Sequence, residues 1–335
     1  MDIVANLSEK DRNELFSETA TLMKTTNAIV EKDFWVVWTL DKLFLDVRLN
    51  KILMFKGGTS LSKVFDLIGR FSEDIDLILD WELLTGENPY ADRSKNKQTK
   101  FNERINKDAK KYIADELLPI VSDILEPHCI CKIDEKDGFS INIQYPSLFS
   151  DPALRPQILL EIGPLASWSP FSIYKISSFV AQKFPEYFEN PTCQVATIVA
   201  ERTFWEKATI LHQEANRAEE KKIPLRHSRH YYDLAMMATS SVKDKALSNL
   251  ELLEGVVAFK QRFYSSAWAK YEDAKIGALK LLPPEFRYKE LKADYASMRN
   301  MIFDKYIEFD EVMSILKDLE DEINSMEESD LNEKK

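Results

Sequence analysis

The sequence predicts an α/β protein whose first half carries the strands and whose second half is helical. Three observations lead there. Short apolar runs closed by glycine or proline punctuate the chain up to about residue 165. Apolar residues recur at three- and four-residue spacing through Leu49, and again almost without interruption from Val195 onward. Glycine is scarce, eight in 335 residues, yet two stand together at Gly57-Gly58, between an apolar run and an amphipathic one.

The elements follow in order. NELFSETATLM and FWVVWTLDKLFLDV have helical periodicity. ILMF, from Ile52 to Phe55, is a buried strand ending at the glycine pair. LSKVFDLI puts Leu61, Val64, Phe65 and Ile68 on one helical face, with Thr59 or Ser60 as N-cap and Gly69 as the stop. DIDLIL returns to a strand. The polar, basic stretch from Asp80 to Gly138 holds one long helix, Lys100 to Ile124, and FSINIQYP and QILLEIGPL are two further strands. TIVAERTFWEKATILHQEANRAEE, HYYDLAMMATSSV, LSNLELLEGVVAFKQRFY and a last acidic segment are amphipathic helices. The polar break PEYFENPTCQ (Pro185 to Gln194) divides the chain into 1–190 and a helical domain 191–335 with an acidic tail.

Composition is that of a globular protein, with 44% hydrophobic and 30% charged residues. No apolar h-region opens the chain and no apolar run approaches the roughly 20 residues of a membrane span. Three cysteines are too few for a disulfide framework, so a reducing cytoplasm is expected. The net charge of −11 argues against a nucleic-acid partner until its distribution is considered. Glu308 to Lys335 carries eleven acidic and three basic residues, whereas Arg93 to Lys111 holds eight basic and two acidic. That basic stripe suits a phosphate backbone, or is a solvated helix face.

The chemistry concentrates in FKGGTSLSKVFDLIGRFSEDIDLIL, Phe55 to Leu79. In a strand, Asp74 and Asp76 share one face while Ile75 and Leu77 turn to the core. Two such carboxylates can hold Mg²⁺ together with substrate phosphates. Glycines at 57 and 58 let the backbone approach a phosphate, and Thr59 or Ser60 adds a donor or only caps a helix. Lys56 and Lys63 flank the block as phosphate partners or as surface charge. The pattern is not a Walker A loop, since no Gly-Lys-Ser/Thr follows the glycines. Glu161, within the apolar QILLEIGPL, either points to solvent or becomes a third metal ligand if its strand lies beside that of Asp76. Arg70 is offered to phosphate or to Glu73. The His128-Cys129-x-Cys131 cluster is too cramped for zinc and reads as core thiols, and RHSRH (Arg226 to His230) as a basic patch.

Two blocks, IVEKDFWVVWTLDKLF with its Glu31-Lys32-Asp33 and KGGTSLSKVFDLIGRFSEDIDL, closely resemble the AbiEii/AbiGii nucleotidyltransferase family. These are toxins of type IV toxin–antitoxin and abortive-infection systems, related to the MenT toxins. The resemblance implies a DNA-polymerase-β-like core with a mixed sheet. It implies nucleotide binding by Gly57, Gly58, Thr59 and Ser60, and Mg²⁺ or Mn²⁺ on Asp74 and Asp76. A family lysine and aspartate match Lys207 and Asp233, the first meeting the triphosphate of an NTP and the second orienting that lysine or a ribose hydroxyl. The fifteen residues between Gly58 and Asp74 exceed the minimal motif and match the longer form of the toxins. The implied reaction moves NMP to an RNA hydroxyl, at the tRNA 3′ end, blocking translation in phage defence. The resemblance also implies an AbiEi-like antitoxin, of a kind that often opposes its toxin without a stable complex. A small-molecule or protein hydroxyl as acceptor, or a non-catalytic nucleotide- or RNA-binding role, are the alternatives.

Overall fold

Seven strands in the computed structural model, which describes residues 1–152, 154–302 and 306–326, form one mixed sheet. They are β1 (Leu53–Lys56), β2 (Ile75–Leu79), β3 (Ile130–Ile133), β4 (Ser140–Gln144), β5 (Ile158–Gly163), β6 (Phe171–Ile176) and β7 (Cys193–Ile198). The spatial order is β3-β4-β5-β2-β1-β7-β6. The β2–β5 and β1–β7 pairs are parallel and the rest antiparallel. The chain divides into two compact units, one of Met1–Phe65 with Phe71–Ile198, the other of Asp66–Arg70 with Val199–Lys335.

In the first unit the alternation of β2 and β5 works as expected. Ile75 and Leu77, with Ile158, Leu160 and Ile162, are buried in the main core, while Asp76 and Glu161 occupy the opposite face. The helix Asn27–Leu45 joins that core and is buried on every side from Ala28 to Leu40, charged residues included. A helix apolar all round belongs inside a protein. Glu31-Lys32-Asp33 in its middle is therefore an anomaly that needs partners.

Several expectations change. Val195–Ile198 is not the start of a helix but most of β7, a strand lying between β1 and β6. The helix begins only at Ala200. An apolar run that crosses a strand–helix junction hides the turn. The helix after β1 spans Gly57–Lys63, so Thr59 and Ser60 lie inside it rather than cap it. It stops short of Phe65 and Ile68 because Asp66 turns to φ +51, and Asp66–Arg70 packs into the second unit. The expected helix over Lys100–Ile124 runs longer, from Lys95 to Leu125, with a π turn at Ile113–Leu117. Pro119 lacks the N–H that would continue the ladder at that point. Strands β3 and β6 lack strong apolar alternation because both are edge strands.

The second unit is helical, with Ala200–Ala215, Arg229–Ala238, Leu250–Phe263 and Phe309–Ser325 among its helices. The end of the expected acidic tail, 327–335, lies outside the described residues. Among the described residues no helix is long and apolar enough to cross a membrane.

Candidate active site

β2 leaves the core face apolar and turns its carboxylates outward. Asp76 pairs in register with Lys56 on β1 and with Glu161 on β5. Registered partners share a face, so Lys56, Asp76 and Glu161 form one row across three strands. Asp74 stands two residues earlier, just before β2, on the same side by the strand's alternation. β5 does lie beside β2, but among the described residues Asp74, Asp76 and Glu161 do not come together as a group of three metal-ligating side chains.

The glycine pair lies against this row. Gly57 has φ +80, and a Cβ built on it would overlap the Asp76 carboxylate, with Oδ2 nearest. Only glycine serves both demands. The two hydroxyls that follow are spent inside the protein. Thr59 is buried; its Oγ1 donates to the Asp74 carbonyl at 2.5 Å and accepts from the Ser72 hydroxyl at 3.0 Å. Ser60, also buried, donates to the Gly57 carbonyl at 2.8 Å. Both therefore hold the glycine turn and the Asp74 backbone in place. Lys63 turns away to a buried ion pair with Asp33 and sits 3.7 Å over the Phe179 ring.

The anomalous Glu31-Lys32-Asp33 finds its partners around the same loops. Glu31 accepts from the Leu148 N–H at 2.8 Å, the Phe149 N–H at 3.1 Å and the Ser147 hydroxyl. Lys32 donates to Glu73 at 2.7 Å and to the Arg155 carbonyl at 2.9 Å. Asp33 takes the Phe179 N–H at 2.7 Å besides Lys63. Three consecutive residues thus fasten the segments that border the aspartates. Sequence reading noticed this triplet only through resemblance. Its physical signal was three charges in a stretch otherwise too apolar to reach solvent.

Burial lifts the Asp74 carboxyl above its ordinary value. Arg155 opposes the shift, and Glu73 and Asp76 add to it. Asp74 Oδ1 is buried and receives no hydrogen bond, with Arg155 Nη1 at 3.7 Å. A paired carboxylate with an unsatisfied oxygen, facing a second carboxylate's side of the sheet, fits a divalent cation of the magnesium type. Among the described residues no three His, Cys, Asp or Glu side chains converge as a closed metal site. Magnesium does not require one, since it takes one or two carboxylates and completes its shell with water and phosphate.

The second unit holds Lys207 and Asp233. Asp233 is fully buried and accepts from Arg70 through both oxygens, at 2.7 and 2.8 Å, and from Lys207 at 2.8 Å. Burial alone would raise this carboxyl, but the two cations hold it far below the usual range. Arg70 thus pairs with Asp233. Lys207, its own pKa lowered by burial, also donates to His230 Nδ1 at 3.1 Å. Of the RHSRH patch, Arg226 and Arg229 are exposed, while His227 approaches Glu214 and His230 faces Lys207. The thiols of Cys129 and Cys131 are pushed up by burial to about 12 and about 11, which fits core cysteines.

Solved structures similar to this chain include JHP933 from Helicobacter pylori, 13% identical, covering 92% of this chain and 95% of that one with a TM-score of 0.45. Another is the MenT4 nucleotidyltransferase toxin of Mycobacterium tuberculosis, 16% identical, covering 91% and 98% with a TM-score of 0.43. No curated protein matches. The family model described as "Nucleotidyl transferase AbiEii toxin, Type IV TA system" matches residues 38–315. Spanning most of both units, that match means the chain belongs to the AbiEii family of nucleotidyl transferase toxins.

Proposed function

We propose that the protein transfers NMP from an NTP to an RNA hydroxyl, at the tRNA 3′ end, in a reaction that depends on Mg²⁺ or Mn²⁺. The observation that supports this reading is the close seating of the Gly57 backbone on the Asp76 carboxylate, the turn assigned to the nucleotide lying against the side chain assigned to the cation. Asp74 and Asp76 would hold the cation, which would neutralise triphosphate charge and ease loss of the acceptor proton. The Gly57–Gly58 backbone approaches the nucleotide, and Thr59 and Ser60 keep that turn rigid. The acceptor oxygen attacks the α-phosphorus, the bond to pyrophosphate breaks, and pyrophosphate leaves with the bonding pair. Glu161, exposed beside Asp76, takes the acceptor's proton. Lys207, held by Asp233, is the positive charge assigned to the triphosphate.

RNA as acceptor is supported by the helix Lys95–Tyr112. Phe101, Ile105 and Ala109 are buried, while Lys95, Lys97, Lys100, Lys107, Lys110 and Lys111 are exposed. Arg104 is tied to Glu87, so the lysines carry the charge of that face. The family's toxin role further implies a cognate antitoxin of the AbiEi type, in a cytoplasmic setting.

The test incubates the protein with each α-labelled NTP, Mg²⁺ and total RNA. Label in tRNA, lost by a factor of about a thousand or more in Asp76→Asn, is the expected result. Label only in a small molecule or a protein would move the acceptor, and no label anywhere would leave a binding protein. Full labelling by Asp76→Asn would remove the cation site.

A further inference from the structure

We infer that Arg155 contacts the substrate: its guanidinium is the counter-charge of Asp74 in the free protein and a phosphate ligand once an NTP is bound. This rests on the reading above and adds a residue to it. Arg155 lies in the segment entering β5, whose parallel pairing with β2 brings it beside Asp74.

Its backbone is held firmly. The Arg155 carbonyl accepts from Lys32 at 2.9 Å and its N–H donates to Glu73 at 2.9 Å. Lys32 and Glu73 pair with each other at 2.7 Å, and their side chains are 0% and 5% exposed. Seven residues earlier the same segment is fixed a second time, where Leu148 and Phe149 donate to Glu31. Burying an ion pair carries a heavy desolvation cost. Here the pair grips both backbone groups of one residue.

The side chain is held differently. It is 47% exposed, and its Nη1 stands 3.7 Å from Asp74 Oδ1, beyond hydrogen-bond length. Asp74 Oδ1 meanwhile has no donor at all. A fixed backbone with a loosely engaged guanidinium at a cation-binding carboxylate suits exchange of partners. When Asp74 turns to a cation, the guanidinium is released, and its planar fork matches two phosphate oxygens.

The arrangement makes a clean test, because the anchoring contacts are backbone ones that any side chain keeps. Full-length protein, Arg155→Ala and Arg155→Lys are titrated calorimetrically with each of the four NTPs in Mg²⁺, and melted without ligand. Arg155→Ala should bind NTP about tenfold or more weakly, the worth of one charged contact. Its melting temperature should stay within about 2 °C of the parent, since a half-exposed, loosely paired charge adds little stability. Arg155→Lys should recover part of the affinity. Alanine binding NTP as tightly as arginine overturns the inference, as does a loss of affinity that tracks a fall in melting temperature in both variants. A parent that transfers label while Arg155→Ala binds normally spares the proposed function. A parent that binds no NTP sinks both.

Discussion

Gly57 shows how much of the site depends on one missing side chain. At φ +80 any other residue carries backbone strain, and here a Cβ would also strike the Asp76 carboxylate. Gly277 offers an internal control, because it has φ +78 and nothing within 4 Å of its would-be Cβ. Gly277→Ala should lose about 1 kcal/mol from strain alone. Gly57→Ala should lose about 2–3 kcal/mol in urea unfolding and abolish nucleotide transfer, since Asp76 must move. Equal losses in the two variants, with transfer intact, would mean that the carboxylate yields without consequence. The aspartates, the glycines and Glu161 could all be picked out from local pattern, because chemistry and spacing sit together within a strand. Arg155 could not. Its significance arises from the β2–β5 pairing, which joins residues 81 apart in sequence.

At the level of elements, the helix Asn27–Leu45 works as a spindle to which the site's loops are pinned by buried charges. Lys32–Glu73 is the central pin, and its removal on one side only should be costly. Lys32→Met leaves Glu73 buried and unpaired, with an expected loss of about 3–5 kcal/mol. Lys32→Met with Glu73→Gln removes that charge while Gln can still accept from the Arg155 N–H, so the double variant should be more stable than Lys32→Met alone. Urea unfolding of the four proteins in a double-mutant cycle checks this, and simple additivity would show that the pair is not coupled. The helix itself was plain from its periodicity, as were β2, β4 and β5 from alternation and closing residues. The two edge strands were not, because β6 leaves Phe171, Ser172 and Ile173 exposed and so lacks an inward stripe. The end of the Gly57–Lys63 helix was misjudged for a related reason: Val64, Phe65 and Ile68 look like one helical face, but the backbone turns at Asp66 and the segment to Arg70 packs in the other unit.

Across the whole molecule, titration shifts lean in one direction for histidine. Burial lowers all four, His128, His212, His227 and His230. His230 moves furthest, burial being reinforced by the Lys207 ammonium, to which its Nδ1 serves as acceptor. His212 is similarly fitted to the neutral form, with Nδ1 accepting from the Lys280 N–H at 3.1 Å and Nε2 placed 3.0 Å from the Lys270 carbonyl. A depressed folded-state pKa means that the unfolded chain takes up protons first as pH falls. Stability is then greatest above the ordinary histidine value of about 6.5 and declines below it, until the folded protein protonates as well. A histidine that stays neutral from pH 7.5 to 5.5 contributes about 1.4 kcal/mol to that decline. Carboxylates shifted upward by burial, Glu31, Asp33 and Asp41 among them, bend the curve the other way at lower pH. The informative measurement is therefore a difference. Unfolding free energy for the parent and His230→Asn at pH 7.5, 6.5 and 5.5 should give a constant offset from the lost Lys207 contact and a shallower slope in the variant. The slope change should approach one proton at pH 5.5. Parallel curves would mean that His230 titrates normally, and that the charge of Lys207 is not felt across their 3.1 Å contact.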